Sequence, residues 1–133
     1  MNSIISISDH YKELLEKSLA YLGVDGVTVI ISVNTRMLDK LAEPNMELTA
    51  ATFPSALEKT YNLYVRSTDV RDVVICHEAV HISQYADGRL TMIKGKPFWN
   101  GKEYGKETHY YARPWEKEAY NLDNKILKAI RKK

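Results

Sequence analysis

Apolar residues first recur at helical spacing. Tyr11, Leu14, Leu15, Leu19 and Leu22 share one face, Ser8 or Asp9 stands where an N-cap belongs, and Gly23 followed by Asp25-Gly26 supplies a stop and a turn. This predicts a helix over residues 9–22. The period then shortens. Val27-Thr28-Val29-Ile30-Ile31-Ser32-Val33 is β-branched and almost wholly apolar, the pattern of a strand covered on both faces. Residues 35–42 read as a short helix broken by Glu43-Pro44-Asn45. Residues 47–53 and 60–66 read as two further strands, with 54–59 as the hairpin loop between them. In the second of these, Tyr61, Leu63 and Val65 alternate with Asn62, Tyr64 and Arg66, which suggests a half-exposed strand at a sheet edge.

Helical periodicity returns near residue 70. Thr68 or Asp69 is the expected cap, and Asp87-Gly88 the stop after Ala86. Val73, Val74 and Val80 lie on one side of this helix, and Ile75, Ala79, Ile82 and Ala86 form a second apolar stripe, so it should be buried. Residues 89–112, with Gly95, Pro97, Gly101, Gly105 and several aromatics, read as irregular structure containing a short hairpin. A last helix starts at Pro114 and runs to about Arg131. The order of elements predicts an α+β fold in one domain over residues 1–133. An N-terminal helix and a small, mostly antiparallel sheet precede a buried helix and a C-terminal helix.

Composition narrows the functional classes. The chain is 44% hydrophobic and 27% charged, as globular proteins are, and its net charge of +2 creates no field that singles out nucleic acid as a partner. Lys128, Arg131, Lys132 and Lys133 read as a cationic helix end that suits the helix dipole. The one cysteine, Cys76, excludes an internal disulfide and reads as a small buried apolar residue. There is no run of about 20 apolar residues to cross a membrane. No basic segment followed by an apolar core marks a secretory leader. A cytoplasmic protein without a membrane partner is the expectation.

The buried helix carries His77-Glu78-Ala79-Val80-His81. Histidines four residues apart share a helical face, so both imidazoles can reach one metal ion, while Glu78 can reach a water bound to it. The pattern points to Zn²⁺ held by His77 and His81, an activated water, and Glu78 as general base. The bland alternative is a pair of core histidines bonded to backbone or tyrosine. A catalytic zinc needs a third protein ligand. Asp87, six residues beyond His81, lies about 240° around a continuing helix at about 100° per residue and so points away. Glu116 and Glu118 open the last helix and diverge by about 200°. Its apolar arc (Trp115, Ala119, Leu122, Ile126, Ala129, Ile130) includes the position of Glu116, whereas Glu118 falls just outside. A carboxylate on a buried face needs a partner, which makes Glu116 the expected ligand, with Glu118 and Asp87 as alternatives.

His77-Glu78-x-x-His81 with a downstream Glu116-x-Glu118-Ala119 resembles the gluzincin branch of the zincin metallopeptidases. The fuller pattern adds Gln84-Tyr85-x-x-Gly88, Trp99-x-Gly101-x-x-Tyr104 and Arg113-Pro114-Trp115. It is similar to small zincin-like proteins of bacteriophages and bacteria, over the half of the chain from Val70 onward. The resemblance implies a minimal zincin-like fold, a third ligand on a later helix, and peptide-bond hydrolysis with a peptide or protein as substrate. A second electrophile often assists such chemistry, and His109, Tyr110, Tyr111 and Arg113 are candidates for stabilising the oxyanion. Gln84, one turn from His81, is placed to orient the site, and Trp99 and Trp115 read as core anchors. The competing reading is a non-catalytic binding or regulatory protein on the same fold, with a structural metal or a partner-binding cleft.

Overall fold

The computed structural model describes residues 1–44, 46–105 and 108–131. Asn45 of the expected break, Lys106 and Glu107 of the connection, and Lys132 and Lys133 of the basic end lie outside the described residues. The chain opens with β1 (Ser3–Ser6), too short for its alternation to stand out in the sequence. Next comes α1 (Asp9–Tyr21), whose N-cap Ser8 accepts a hydrogen bond from the Tyr11 N–H at 3.2 Å. After β2 (Thr28–Val33), Asn34 caps α2 (Thr35–Leu41), accepting from the Met37 N–H at 2.9 Å. The hairpin of β3 (Ala50–Pro54) and β4 (Thr60–Val65) completes a four-stranded sheet in the order β1-β2-β4-β3.

This sheet is mixed, where a mostly antiparallel one was expected. β1 with β2 and β2 with β4 are parallel, and only β3 with β4 is antiparallel. Two connections cause this. Helix α1 carries the chain back across the sheet, which makes β1 and β2 parallel. β3 begins at the end where β2 stops, since Ala50 and Val33 both pair with Val65. It runs back along the edge, and the hairpin delivers β4 alongside β2. β4 is therefore interior, and the edge expected at residues 60–66 belongs to β3. The alternation in β4 reports that one face, Tyr61, Leu63 and Val65, is buried. It carries no information on lateral position in the sheet.

Helix α3 (Asp72–Ala86) starts later than its expected caps, because Ser67 and Asp69 hydrogen-bond to each other in the preceding turn and Arg71 takes the N-cap without a side-chain bond. Every residue from Ile75 to Gln84 is buried, as the two-sided apolar pattern required. Asp72 in its first turn ties three helices, pairing with His10 of α1 at 2.8 Å and with Arg131 at 3.0 Å. The glycine-rich connection forms a meander of β5 (Leu90–Ile93), β6 (Lys96–Trp99) and β7 (Lys102–Glu103) rather than one hairpin. Lys94-Gly95 and Asn100-Gly101 take positive φ at both positions (52° and 76°, 50° and 84°), the two-residue turn that matches strand twist. A 3₁₀ turn at Tyr110–Ala112 leads into α4 (Pro114–Arg131), whose bounds are those expected. Ile75 and Val80 of α3 share a core with Leu15 of α1, Leu63 of β4 and Ile126 of α4. Among the described residues no helix is long and apolar enough to cross a membrane.

Candidate metal centre

Helix phase alone brings His77 and His81 together, their ring centroids 4.9 Å apart. Donor atoms of His77, Glu78 and His81 all lie within 4.8 Å of one another. The fourth member arrives from α4. Glu116 places Oε1 3.0 Å from Nε2 of His77 and Oε2 3.2 Å from Nε2 of His81. All four side chains are buried. Glu78 and Glu116 are both near the histidines, and their partners separate them. Glu116 offers one oxygen to each Nε2, whereas Glu78 accepts a hydrogen bond from Oγ1 of Thr52, on edge strand β3, at 2.8 Å.

The outward nitrogens are engaged as well. Nδ1 of His77 lies 3.1 Å from Oδ2 of Asp123, and Nδ1 of His81 lies 2.8 Å from Oε1 of Gln84. A carboxylate and an amide oxygen only accept, so both rings carry a proton on Nδ1 and turn Nε2 inward. Asp123 escaped the sequence reading, although it stands two helical turns after Glu116 and hence on the same face. Thr52 left no sequence signal, because its contact joins a strand to a helix. Gln84 takes the orienting place expected of it.

Burial by itself would lower the basicity of both imidazoles. For His81 the hydrogen bond and charge of Glu116, followed by Glu78 and Gln84, outweigh that penalty and lift its pKa from 6.5 to about 9. His77 shifts in the same direction against the same burial, again chiefly through Glu116. Burial would raise Glu116, but its bonds to His77 and His81 bring it from 4.5 down to about 2. Without a metal the centre is therefore a buried imidazolium–carboxylate cluster. The same convergence of two imidazole nitrogens and a carboxylate could hold a divalent cation.

No protein-family model, curated protein or solved structure matches this chain. Asp87 caps the C-terminus of α3, exposed and paired with Arg89 at 2.9 Å, away from the histidines as helix phase required. Glu118 also turns away, toward Gln84 and Arg89. Of the oxyanion candidates, His109 and Tyr111 are exposed, and the Arg113 guanidinium is engaged by Glu43 at 2.8 Å and by the Thr108 carbonyl at 3.1 Å. Tyr110 faces the centre itself. Burial, then the charges of Glu116 and Glu78, with a hydrogen bond to Glu116 besides, raise its pKa and keep it a protonated O–H donor.

Two clefts meet at this centre. One of 790 Å³ opens on His81 and Glu116 between Phe53, Leu90, Met92, Tyr104 and Trp115. Trp115 is thus both a core anchor and a cleft wall. The other, of 220 Å³, lies on the His77 side against Val73, Val74, Tyr120 and Asp123. Glu78 and Tyr110 line both.

Proposed function

We propose that the protein is a zinc-dependent peptidase of gluzincin type, with His77, His81 and Glu116 as ligands and Glu78 as general base. The observation that carries this reading is the convergence of two Nε2 atoms on one carboxylate, with a second carboxylate held beside them where two clefts meet. The donor set would suit zinc: two imidazole nitrogens and a carboxylate, all buried and brought together from two helices, are ligand types that zinc takes. Three protein ligands also leave a fourth position free. When bound, zinc supplies a Lewis acid and lowers the pKa of water to about 7.

The residues of the chain divide the remaining work. Glu78 accepts a proton from the attacking water and returns it to the leaving amine, and Thr52 keeps its carboxylate aimed. Tyr110, a phenol lining both clefts, is the donor for the developing oxyanion. The edge strand β3 offers unpaired backbone groups to an extended peptide, and because it carries Thr52, such a peptide would pass Glu78. A binding protein with a purely structural metal has no use for a carboxylate held in this way.

Metal content tests the reading. Protein purified from metal-defined medium should carry about one equivalent of zinc, since ligands of this kind retain the ion. Less than about half an equivalent, unrestored by added zinc, would sink the site.

A further inference from the structure

Glu118 has no place among the proposed metal ligands, yet it is tied to one of them, His81, through Gln84. Its Oε1 accepts from Nε2 of Gln84 at 3.0 Å, while its Oε2 accepts from Nη1 of Arg89 at 2.6 Å. Arg89 is held in turn by both oxygens of Asp87, at 3.0 and 2.9 Å, and lies over the Trp99 ring at 5.4 Å. Gln84 is fully buried, so the orientation of its amide matters. Its Nε2 end meets two acceptors, the Trp115 carbonyl and Glu118, each at 3.0 Å. That end must be the NH₂, which leaves Oε1 facing Nδ1 of His81. With the amide reversed, an NH₂ group would face Nδ1 and favour the tautomer protonated on Nε2, which cannot bind a metal.

We propose that Glu118 is a positioning residue: by accepting from Gln84 it locks the amide so that His81 presents the Nε2 lone pair to the metal. This rests on the metal site proposed above. Arg89 serves the same end by holding the Glu118 carboxylate at the start of α4, which links the β5–β7 meander to the ligand His81.

The test is zinc affinity, measured by competition with a chelator on the full chain for wild type, Glu118→Leu, Gln84→Met and the double variant. Each single change should weaken zinc binding about tenfold or more, as loss of a ligand's hydrogen-bond partner does. The double variant should bind zinc no more weakly than Gln84→Met alone, because Glu118 acts through Gln84. If the two losses multiply, Glu118 acts through its charge and the proposal is overturned. It is equally overturned if Glu118→Leu leaves affinity unchanged. Should Glu118→Leu fail to fold, Glu118→Gln decides. It keeps an acceptor for Gln84 but loses the charge, so affinity within about threefold of wild type supports the lock, while a tenfold loss shows that the charge of Glu118 and not its acceptor matters, and overturns it. A wild-type chain that binds no zinc fails at the earlier step, and it removes the metal site itself.

Discussion

Glu78→Gln is expected to retain zinc and to lose peptide hydrolysis by roughly 10²- to 10⁴-fold, the usual contribution of a positioned general base. Glutamine has nearly the shape of glutamate, and its side-chain oxygen can still accept from Oγ1 of Thr52, which is 2.8 Å from the carboxylate in the native chain. Folding and metal binding should therefore survive. What disappears is the ability to take a proton, because an amide is not a base at neutral pH. Turnover on a broad peptide library, measured beside metal content, separates the two properties. Unchanged turnover would remove Glu78 from the role of base. Zinc lost along with activity would instead make Glu78 a ligand, a role its distance from the histidines does not forbid.

The second large effect is expected at Glu116. Glu116→Ala should abolish zinc binding and destabilise the metal-free protein by roughly 3–5 kcal/mol, the usual result of removing one partner from a buried ion pair. Asp87→Ala, at an exposed helix end, should still carry about one equivalent of zinc, because Asp87 reaches the centre only through Arg89 and Glu118. Loss of zinc in Asp87→Ala alone would refute the ligand assignment.

The pH dependence of the chelated wild type follows from the same cluster. Glu116 is depressed from 4.5 to about 2, so its contribution is complete above pH 4.5 and is lost as pH falls toward 2. His81 is raised from 6.5 to about 9, so its contribution is complete below pH 6.5 and is lost as pH rises through 9. His77 is shifted the same way. Melting temperatures of the chelated protein should therefore fall from pH 6.5 to pH 9, and Glu116→Ala should flatten that slope. Zinc binding has the opposite trend, strengthening as pH rises, because the ligand imidazoles must be neutral. A chelated wild type equally stable at pH 6.5 and 9 would contradict the cluster.

The centre was legible where its parts share one helix. His77 and His81 needed only a period of 3.6, and Glu116 needed only its place in the apolar arc of α4, which Pro114 opens as expected. The same arithmetic set Asp87 aside and could have found Asp123. It failed at Thr52 and at the bond from Gln84 to Glu118, because those contacts span 26 and 34 residues and no local period encodes them. Glu118 shows the limit most clearly. Helix phase separates it from Glu116, but what it turned toward depended on where α4 lies against α3.

The fold divides in the same way. Apolar periodicity, turn residues and the Ser8 cap of α1 determined the four helices, the strands β2 to β4 and the α+β class, because each is a local property of consecutive residues. Strand order was decided only in three dimensions. Alternation in residues 60–66 says that one face is buried and is silent on which strand lies alongside, so the edge passed to β3 and two of the three pairings became parallel. That decision matters chemically, since it is β3, carrying Thr52, that borders the centre. The sequence by itself determined which residues could bind a metal, through the geometry of single helices. Tertiary packing decided which groups surround them, because burial on folding forces the polar atoms of the centre to find partners, and for Glu78, Glu116 and Nδ1 of His77 those partners lie on another element.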